Sequence, residues 1–303
     1  VKVSWLEDAQ RRKRRVAVGT FDGVHAGHRE VIKGCDTVLT FQPHPVSVLK
    51  PELAPPLIDS FAIKRDVLES LGIEELVVIP FDRDFASLSP EEFCEQILVE
   101  RLSAQMVSVG NNFRFGRGAK GDWQLLRSRS EFETRVVGLV EHDGETVSSS
   151  QIRDLIANGD VEQAHKFLNR PFMLEGQVVS GDRRGKSLGV PTANIIPQPD
   201  LLCPGQGVYA AVALESCETD PARGVCAAVS VGVRPTFDAG DSVVVESYLI
   251  DYEGDLYQKT LRVAFLRRIR DEIRFDSAQE LVSQMHRDIE AARGICSATV
   301  LGQ

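Results

Sequence analysis

No stretch of this 303-residue sequence approaches the roughly 20 consecutive apolar residues that a membrane-spanning helix needs. Charged residues stand near the N-terminus, where a signal peptide would place its apolar segment. Both observations lead to the expectation of a cytoplasmic protein with no membrane partner. Positive charge is in short supply: 35 Lys and Arg face 44 Asp and Glu, a formal net charge of −9. Binding to a phosphate backbone rests on a basic face, so nucleic acid is not expected as a partner. Paired cysteines are lacking as well. Cys35, Cys94, Cys203, Cys217, Cys226 and Cys296 are scattered without a C-x-x-C, which argues against a zinc site or a disulfide framework and leads to the expectation of reduced thiols. No internal repeat or low-complexity segment is present.

What is present has ordinary globular proportions, 43% hydrophobic and 26% charged. At roughly 100–200 residues per domain the length predicts two domains. The basic run Arg11-Arg12-Lys13-Arg14-Arg15 reads as a solvated lead-in to a strand rather than a nucleic-acid signal. In the first half, strand-like runs at Val16–Thr20, Thr37–Phe41, Glu75–Pro80, Met106–Gly110 and Arg135–Val140 alternate with helical patterns around His25–Lys33, Ser60–Leu71, Pro90–Leu102 and Asp122–Ser130. Ser89 is placed to cap the third helix, with Pro90 at its first position. Alternating βα units predict a parallel sheet with its ligand site at the carboxyl ends of the strands. Two short helices, one ending near Ala157 and one from Asp160 to Leu168, read as a linker. From Met173 to Phe265 the pattern is all strand, separated by Gly, Pro and Asp, and predicts a small barrel closed by a helix from Ser277 to Ala292.

The segment Gly19-Thr20-Phe21-Asp22-Gly23-Val24-His25-Ala26-Gly27-His28 follows the first of these strands and opens the first helix. His25 and His28, three apart, share one helix face. Gly27 permits close backbone approach, and free N–H groups at a helix start favour anions. Two imidazole donors there suit a phosphate gaining charge in its transition state. This segment is similar to the nucleotidyltransferase signature GxFDGVHxGH of the prokaryotic bifunctional riboflavin kinase/FAD synthetases. The resemblance continues through Phe41-Gln42-Pro43-His44-Pro45, Gly110-Asn111-Asn112-Phe113-Arg114-Phe115-Gly116 and Val147-Ser148-Ser149-Ser150-Gln151-Ile152-Arg153. In the last of these, serines cap a helix and Arg153 can fork onto a pyrophosphate. The family has a longer first helix and loop; only Lys33-Gly34-Cys35-Asp36 follow the helix here. The resemblance implies adenylylation of FMN by ATP, giving FAD and pyrophosphate. It places His25, His28 and Arg153 in catalysis, Gly19, Phe21, Asp22, Gly27, Ser149 and Ser150 at the nucleotide, and Asn112, Phe113 and Arg114 at nucleotide or flavin. Phe113 and Phe115 read equally well as core anchors.

In the second half, Gly181-Asp182-Arg183-Arg184-Gly185-Lys186-Ser187 has three residues between its glycines where a P-loop needs four, and Pro191 interrupts the helix a P-loop requires. Gly205-Gln206-Gly207-Val208-Tyr209-Ala210 runs into a strand and lacks a dinucleotide-binding context. The stretch from Gly181 to Asn194 instead resembles the riboflavin kinase signature ending in Pro191-Thr192-Ala193-Asn194. The likeness extends through Gly232-Val233-Arg234-Pro235-Thr236, Val245-Glu246-Ser247-Tyr248-Leu249 and Leu266 to Phe275, with Ser230 where an Asn and Tyr248 where a His are common. It implies a six-stranded barrel that phosphorylates riboflavin to FMN with ATP. Gly181, Gly185, Lys186 and Gly189 would cover ATP and Thr192 would help hold Mg²⁺. Asn194, Arg270 and Glu272 would lie at the flavin, Asn194 also at the point of phosphate transfer, and Glu246 would activate the 5′-hydroxyl.

The expectation is therefore an α/β nucleotidyltransferase domain, Rossmann-like with a parallel sheet, over residues 1–168, followed by an all-β riboflavin kinase barrel with a C-terminal helix over 169–303. Riboflavin, FMN, FAD, ATP and pyrophosphate are the implied partners. Two other readings stay open: a cytidylyltransferase for alcohol phosphates on the same fold, and a flavin-binding store or sensor without activity.

Overall fold

The computed structural model describes residues 1–179, 192–236 and 240–301. The chain divides into two compact units, residues 1–55 with 64–148 and residues 56–63 with 149 onward.

The first unit is built on six strands, β1 (Lys2–Trp5), β2 (Arg14–Val18), β3 (Thr37–Gln42), β4 (Glu75–Pro80), β5 (Ala104–Gly110) and β6 (Glu133–Val137), in the order β1-β4-β3-β2-β5-β6. Every pairing is parallel. Leu76, Val77, Val78 and Ile79 are all buried, the continuous apolar run expected of a strand covered on both faces. The connections carry α1 (Ala26–Ile32), α2 (Pro45–Leu49), α3 (Phe61–Ser70), α4 (Pro90–Glu92) and α5 (Trp123–Ser128), and a hairpin of β7 (Glu141–His142) and β8 (Glu145–Thr146) follows the sheet. Ser89 and Glu92 close a capping box at α4, which runs on as π-helical turns over Phe93–Arg101 instead of the expected α-helix. Strand order reverses between β2 and β5, so the crevice beyond their carboxyl ends is where this architecture takes its ligands. The histidine turn follows β2 and the Asn111–Gly116 loop follows β5.

The basic run is not a solvated lead-in throughout. Arg14 is 1% exposed and forms an ion pair with Glu75, Nε to Oε2 at 2.9 Å. Arg12 joins the same carboxylate at 3.1 Å. Parallel pairing of β2 with β3 and of β3 with β4 brings these residues to one end of the sheet, which linear charge density does not reveal.

The second unit contains α6 (Ser149–Ala157), α7 (Val161–Leu168) and a closed antiparallel barrel of β9 (Phe172–Val179), β10 (Ala193–Pro197), β11 (Gly207–Glu215), β12 (Val225–Thr236), β13 (Gly240–Leu249) and β14 (Thr260–Arg270), in the order β10-β13-β12-β11-β14-β9. Closure leaves no free edge. α7 is more than a connector. It buries Val161, Ala164, Phe167 and Leu168 and packs on β9 and β14. The segment 56–63 belongs here too. Leu57 bridges to Leu201, Arg170 NH2 meets both Asp59 carboxylate oxygens at 2.6 Å, and Ser60 Oγ donates to Glu175 at 3.1 Å while Arg262 Nε holds the other Glu175 oxygen at 2.8 Å.

A long C-terminal helix, α8 (Ala278–Leu301), lays Ile289 and Ala292 against Ala210, Ala228 and Ile250. Cys226 on β12 and Cys296 on α8 form a disulfide, their Cα atoms 6.0 Å apart. This corrects the expectation of reduced thiols for two of the six cysteines. They are separated by 70 residues in sequence, and only packing of α8 on the barrel brings them together.

Candidate active sites

In the first unit the turn after β2 is a constrained piece of backbone. Gly23 has φ +88°, and Phe21 and Val24 take positive φ of +49° and +42°, a region few non-glycine residues enter. Such strain persists where the surroundings enforce it and collects at ligand-binding turns. Phe21 and Asp22 are both 1% exposed. The Gly19 N–H donates to the Leu39 carbonyl at 3.1 Å, tying the turn to β3.

His25 is the N-cap of α1: its Nδ1 accepts the His28 backbone N–H at 3.3 Å. Accepting at Nδ1 puts the proton of the neutral ring on Nε2. A Cβ at Gly27 would lie 3.1 Å from the His25 ring, so a larger residue there would press on the imidazole folded over the helix start. The His25 and His28 rings stack with centroids 3.6 Å apart, and Phe21 meets His28 edge-on at 5.3 Å. Burial, then His25 and then the Lys64 charge hold the His28 pKa well below the ordinary value of 6.5. His28 is therefore a neutral donor. Its Nδ1 is buried and meets no hydrogen-bond partner among the described residues, a polar atom that an anionic oxygen could satisfy.

The Asn112, Phe113 and Arg114 loop begins at the end of β5. Phe113 stacks on Phe115 at 5.5 Å, and Phe115 in turn packs on Phe93 at 5.2 Å. Phe115 is a core anchor and Phe113 lies partly buried on the same core. Asn112 is exposed, and Arg114 forms a 3.8 Å ion pair with Asp122.

Ser149 and Ser150 start α6 in the second unit, where Arg153 Nε donates to the Pro56 carbonyl at 2.7 Å. In the barrel, antiparallel register sets Asn194 on β10 directly opposite Glu246 on β13, and Glu246 opposite Ser230 on β12. Directly opposed residues share a face of the sheet, so the amide, carboxylate and hydroxyl form a row across three strands, with Thr192 two residues before Asn194. Tyr248 packs with the α8 cluster. Arg270 is held by Asp288 on α8, Nε at 3.0 Å and NH2 at 2.7 Å, and Gln284 Nε2 supports Asp288 at 2.8 Å. The Glu272 carboxylate lies over Gly232, its Oε1 2.6 Å from where a Cβ would stand. Gly181, Gly185, Lys186 and Gly189 lie outside the described residues. The sequence reading did not single out Asp288, Lys64 or the 56–63 segment, none of which sits in a recognisable motif.

Residues 7–151 match the family model for FAD synthetase and residues 168–296 the model for riboflavin kinase. The bifunctional riboflavin kinase/FMN adenylyltransferase of Bacillus subtilis (strain 168) is 35% identical over 299 residues, covering 93% of this chain and 92% of that protein. The chain belongs to the bifunctional riboflavin kinase/FMN adenylyltransferase family. The Escherichia coli (strain K12) protein of this family is 34% identical, with 92% and 91% of the two chains covered. As a family member the chain is an enzyme of flavin cofactor synthesis with a FAD-synthetase half and a riboflavin-kinase half. A solved Streptococcus pneumoniae structure titled as a macrolide-efflux protein is 31% identical, with a TM-score of 0.86 over 97% of this chain and 99% of that one. Among the described residues no helix of this kinase/adenylyltransferase is long and apolar enough to cross a membrane.

Proposed function

We propose that the barrel phosphorylates riboflavin with ATP to give FMN, and that the parallel-sheet unit carries the residues that transfer AMP from ATP to FMN, giving FAD and pyrophosphate. The observation that carries this reading is the stacked His25–His28 pair in its strained turn beyond β2. In the second reaction an FMN phosphate oxygen attacks the α-phosphorus of ATP and the bond to the β-phosphate breaks. Neutral N–H donors on a fixed turn stabilise charge building on the α-phosphate, and pre-orientation does the rest. Asn112, Phe113 and Arg114 sit on the loop after β5 and take the nucleotide or flavin. Ser149, Ser150 and Arg153 take the departing pyrophosphate on the likeness of their segment.

In the first reaction Glu246 accepts the proton of the riboflavin 5′-hydroxyl as that oxygen attacks the γ-phosphorus, with ADP leaving. Arg270 and Glu272 flank the flavin. Thr192, Asn194 and Glu246 offer only oxygen donors, the set a hard cation such as Mg²⁺ prefers. Among the described residues no group of three or more His, Cys, Asp or Glu could cage a metal. When bound, Mg²⁺ would neutralise phosphate charge during transfer. A cytoplasmic location is part of the same reading, and thiol titration of protein isolated under alkylating conditions tests whether the Cys226–Cys296 disulfide is formed there. The deciding experiment is an HPLC time course with riboflavin, ATP and Mg²⁺. FMN rising first and FAD following supports the proposal, while neither product appearing would leave only flavin binding. CTP replacing ATP in the second step would point to a different nucleotidyl transfer.

A further inference from the structure

Two elements reach the histidine turn from behind. Thr40 Oγ1, on β3, donates to the Thr20 carbonyl at 3.1 Å, and Lys64 Nζ, on α3, donates to the same oxygen at 2.9 Å. Both lone pairs of that carbonyl are thereby used. Because the peptide is planar, two donors on its oxygen fix the plane in which the chain enters Phe21, where φ turns positive. Lys64 is 9% exposed, so its charge acts through a poorly screening interior. His28 registers that charge, after its own burial and the neighbouring His25. The groups whose charge acts on this imidazole are His25 in the turn and Lys64 from α3; Asp22 shares the turn, and Arg29 shares α1, its Nε donating to the Val24 carbonyl at 3.3 Å.

We propose that Lys64 is a positioning residue of the adenylyl-transfer site: through the Thr20 carbonyl it holds the turn that presents His25 and His28, and it lays a fixed positive charge beside them. The inference rests on reading this turn as the phosphate site. Two imidazoles stacked at 3.6 Å resist double protonation, because like charges so close disfavour each other. They serve as neutral N–H donors, and the permanent charge that a reacting phosphate needs comes from the adjacent ammonium. Nothing in the sequence of α3 separates Lys64 from a surface lysine; its burial and its acceptor do.

The test uses the full-length enzyme with Lys64→Met, which keeps the stem, and Lys64→Arg, which keeps charge and donor. FAD formation from FMN and ATP is followed from about pH 5 to about pH 8, with riboflavin phosphorylation in the same preparations as the control. Lys64→Met is expected to lower kcat for FAD formation about ten- to a hundredfold. It is also expected to move the acid limb of kcat/KM, which reports the free enzyme, to higher pH, because His28 loses a charge opposing its protonation. Lys64→Arg should recover most of the rate and the wild-type limb. A Lys64→Met enzyme with kcat within about threefold of wild type, or with its acid limb unmoved, overturns the proposal. Should Lys64→Met fail to fold, Lys64→Gln, which is polar but uncharged, reads the limb instead, and an unmoved limb is again fatal. His28→Ala run alongside separates the two levels. Normal FAD formation in His28→Ala sinks the reading of the turn itself, whereas a slow His28→Ala beside an unaffected Lys64→Met overturns only the role of Lys64.

Discussion

His28 is neutral when folded because burial, His25 and Lys64 all oppose its protonation. Its pKa is lowered on folding, so the unfolded chain binds the extra proton below about 6.5. Stability present above that value is therefore lost as pH falls from 6.5 through the folded pKa. Melting temperature measured against pH should fall on the acid side in wild type and fall less steeply in His28→Asn, whose side chain does not titrate. The catalytic expectation is separate. His28→Ala should slow FAD formation by about 10²–10³, the loss of one preorganised donor, with FMN formation unchanged. Equal loss of both activities would make the residue structural. In the barrel, Glu246→Gln keeps size and hydrogen bonding but not basicity, so riboflavin phosphorylation should drop by roughly 10²–10⁴ while FAD formation from supplied FMN survives. A turnover near wild type would leave positioning to explain the chemistry.

Among the elements, the segment 56–63 leaves the parallel-sheet unit in sequence and joins the barrel unit in space. Its anchor is the Asp59 carboxylate against Arg170, 1% and 8% exposed. Removing one partner of a buried pair strands the other charge, at a cost of about 3–5 kcal/mol. Arg170→Leu should lower unfolding free energy in denaturant titrations by that order, and adding Asp59→Asn should return part of it. A change within about 0.5 kcal/mol would mean the pair contributes little. The same reasoning covers α8. Arg270, assigned to the flavin, is gripped by Asp288 and so also ties β14 to the terminal helix.

For the whole molecule, the assignment of one chemistry to each half predicts that the two activities fail independently. A mixture of His28→Ala and Glu246→Gln proteins should convert riboflavin to FAD, because FMN released by the first enzyme feeds the second. HPLC of the mixture against each variant alone reads this directly. No FAD from the mixture, when both single variants keep their other activity, would show that FMN made on one molecule is not available to another.

Much of this enzyme was legible in its order of residues. Short β-branched runs and helical patterns located β2 to β6 and five of the six barrel strands, because such runs are local; β1 and β10 were not singled out, being short strands that take their place only by pairing. The histidine turn was legible because a glycine-bearing turn between strand and helix is itself a short-range structure, and Glu246 was carried by its motif. Contacts between residues far apart in sequence were decided elsewhere. Arg14 is buried because the parallel sheet brings the starts of β2 and β4 to one end, where its side chain reaches Glu75. Cys226 meets Cys296 because α8 lies across the barrel. Asn194, Glu246 and Ser230 form one row because three antiparallel strands align there. Lys64 becomes part of the histidine turn only because α3 packs where its ammonium reaches the Thr20 carbonyl. Propensity and motif act over a few neighbouring residues, while register and packing are settled only when the whole core forms.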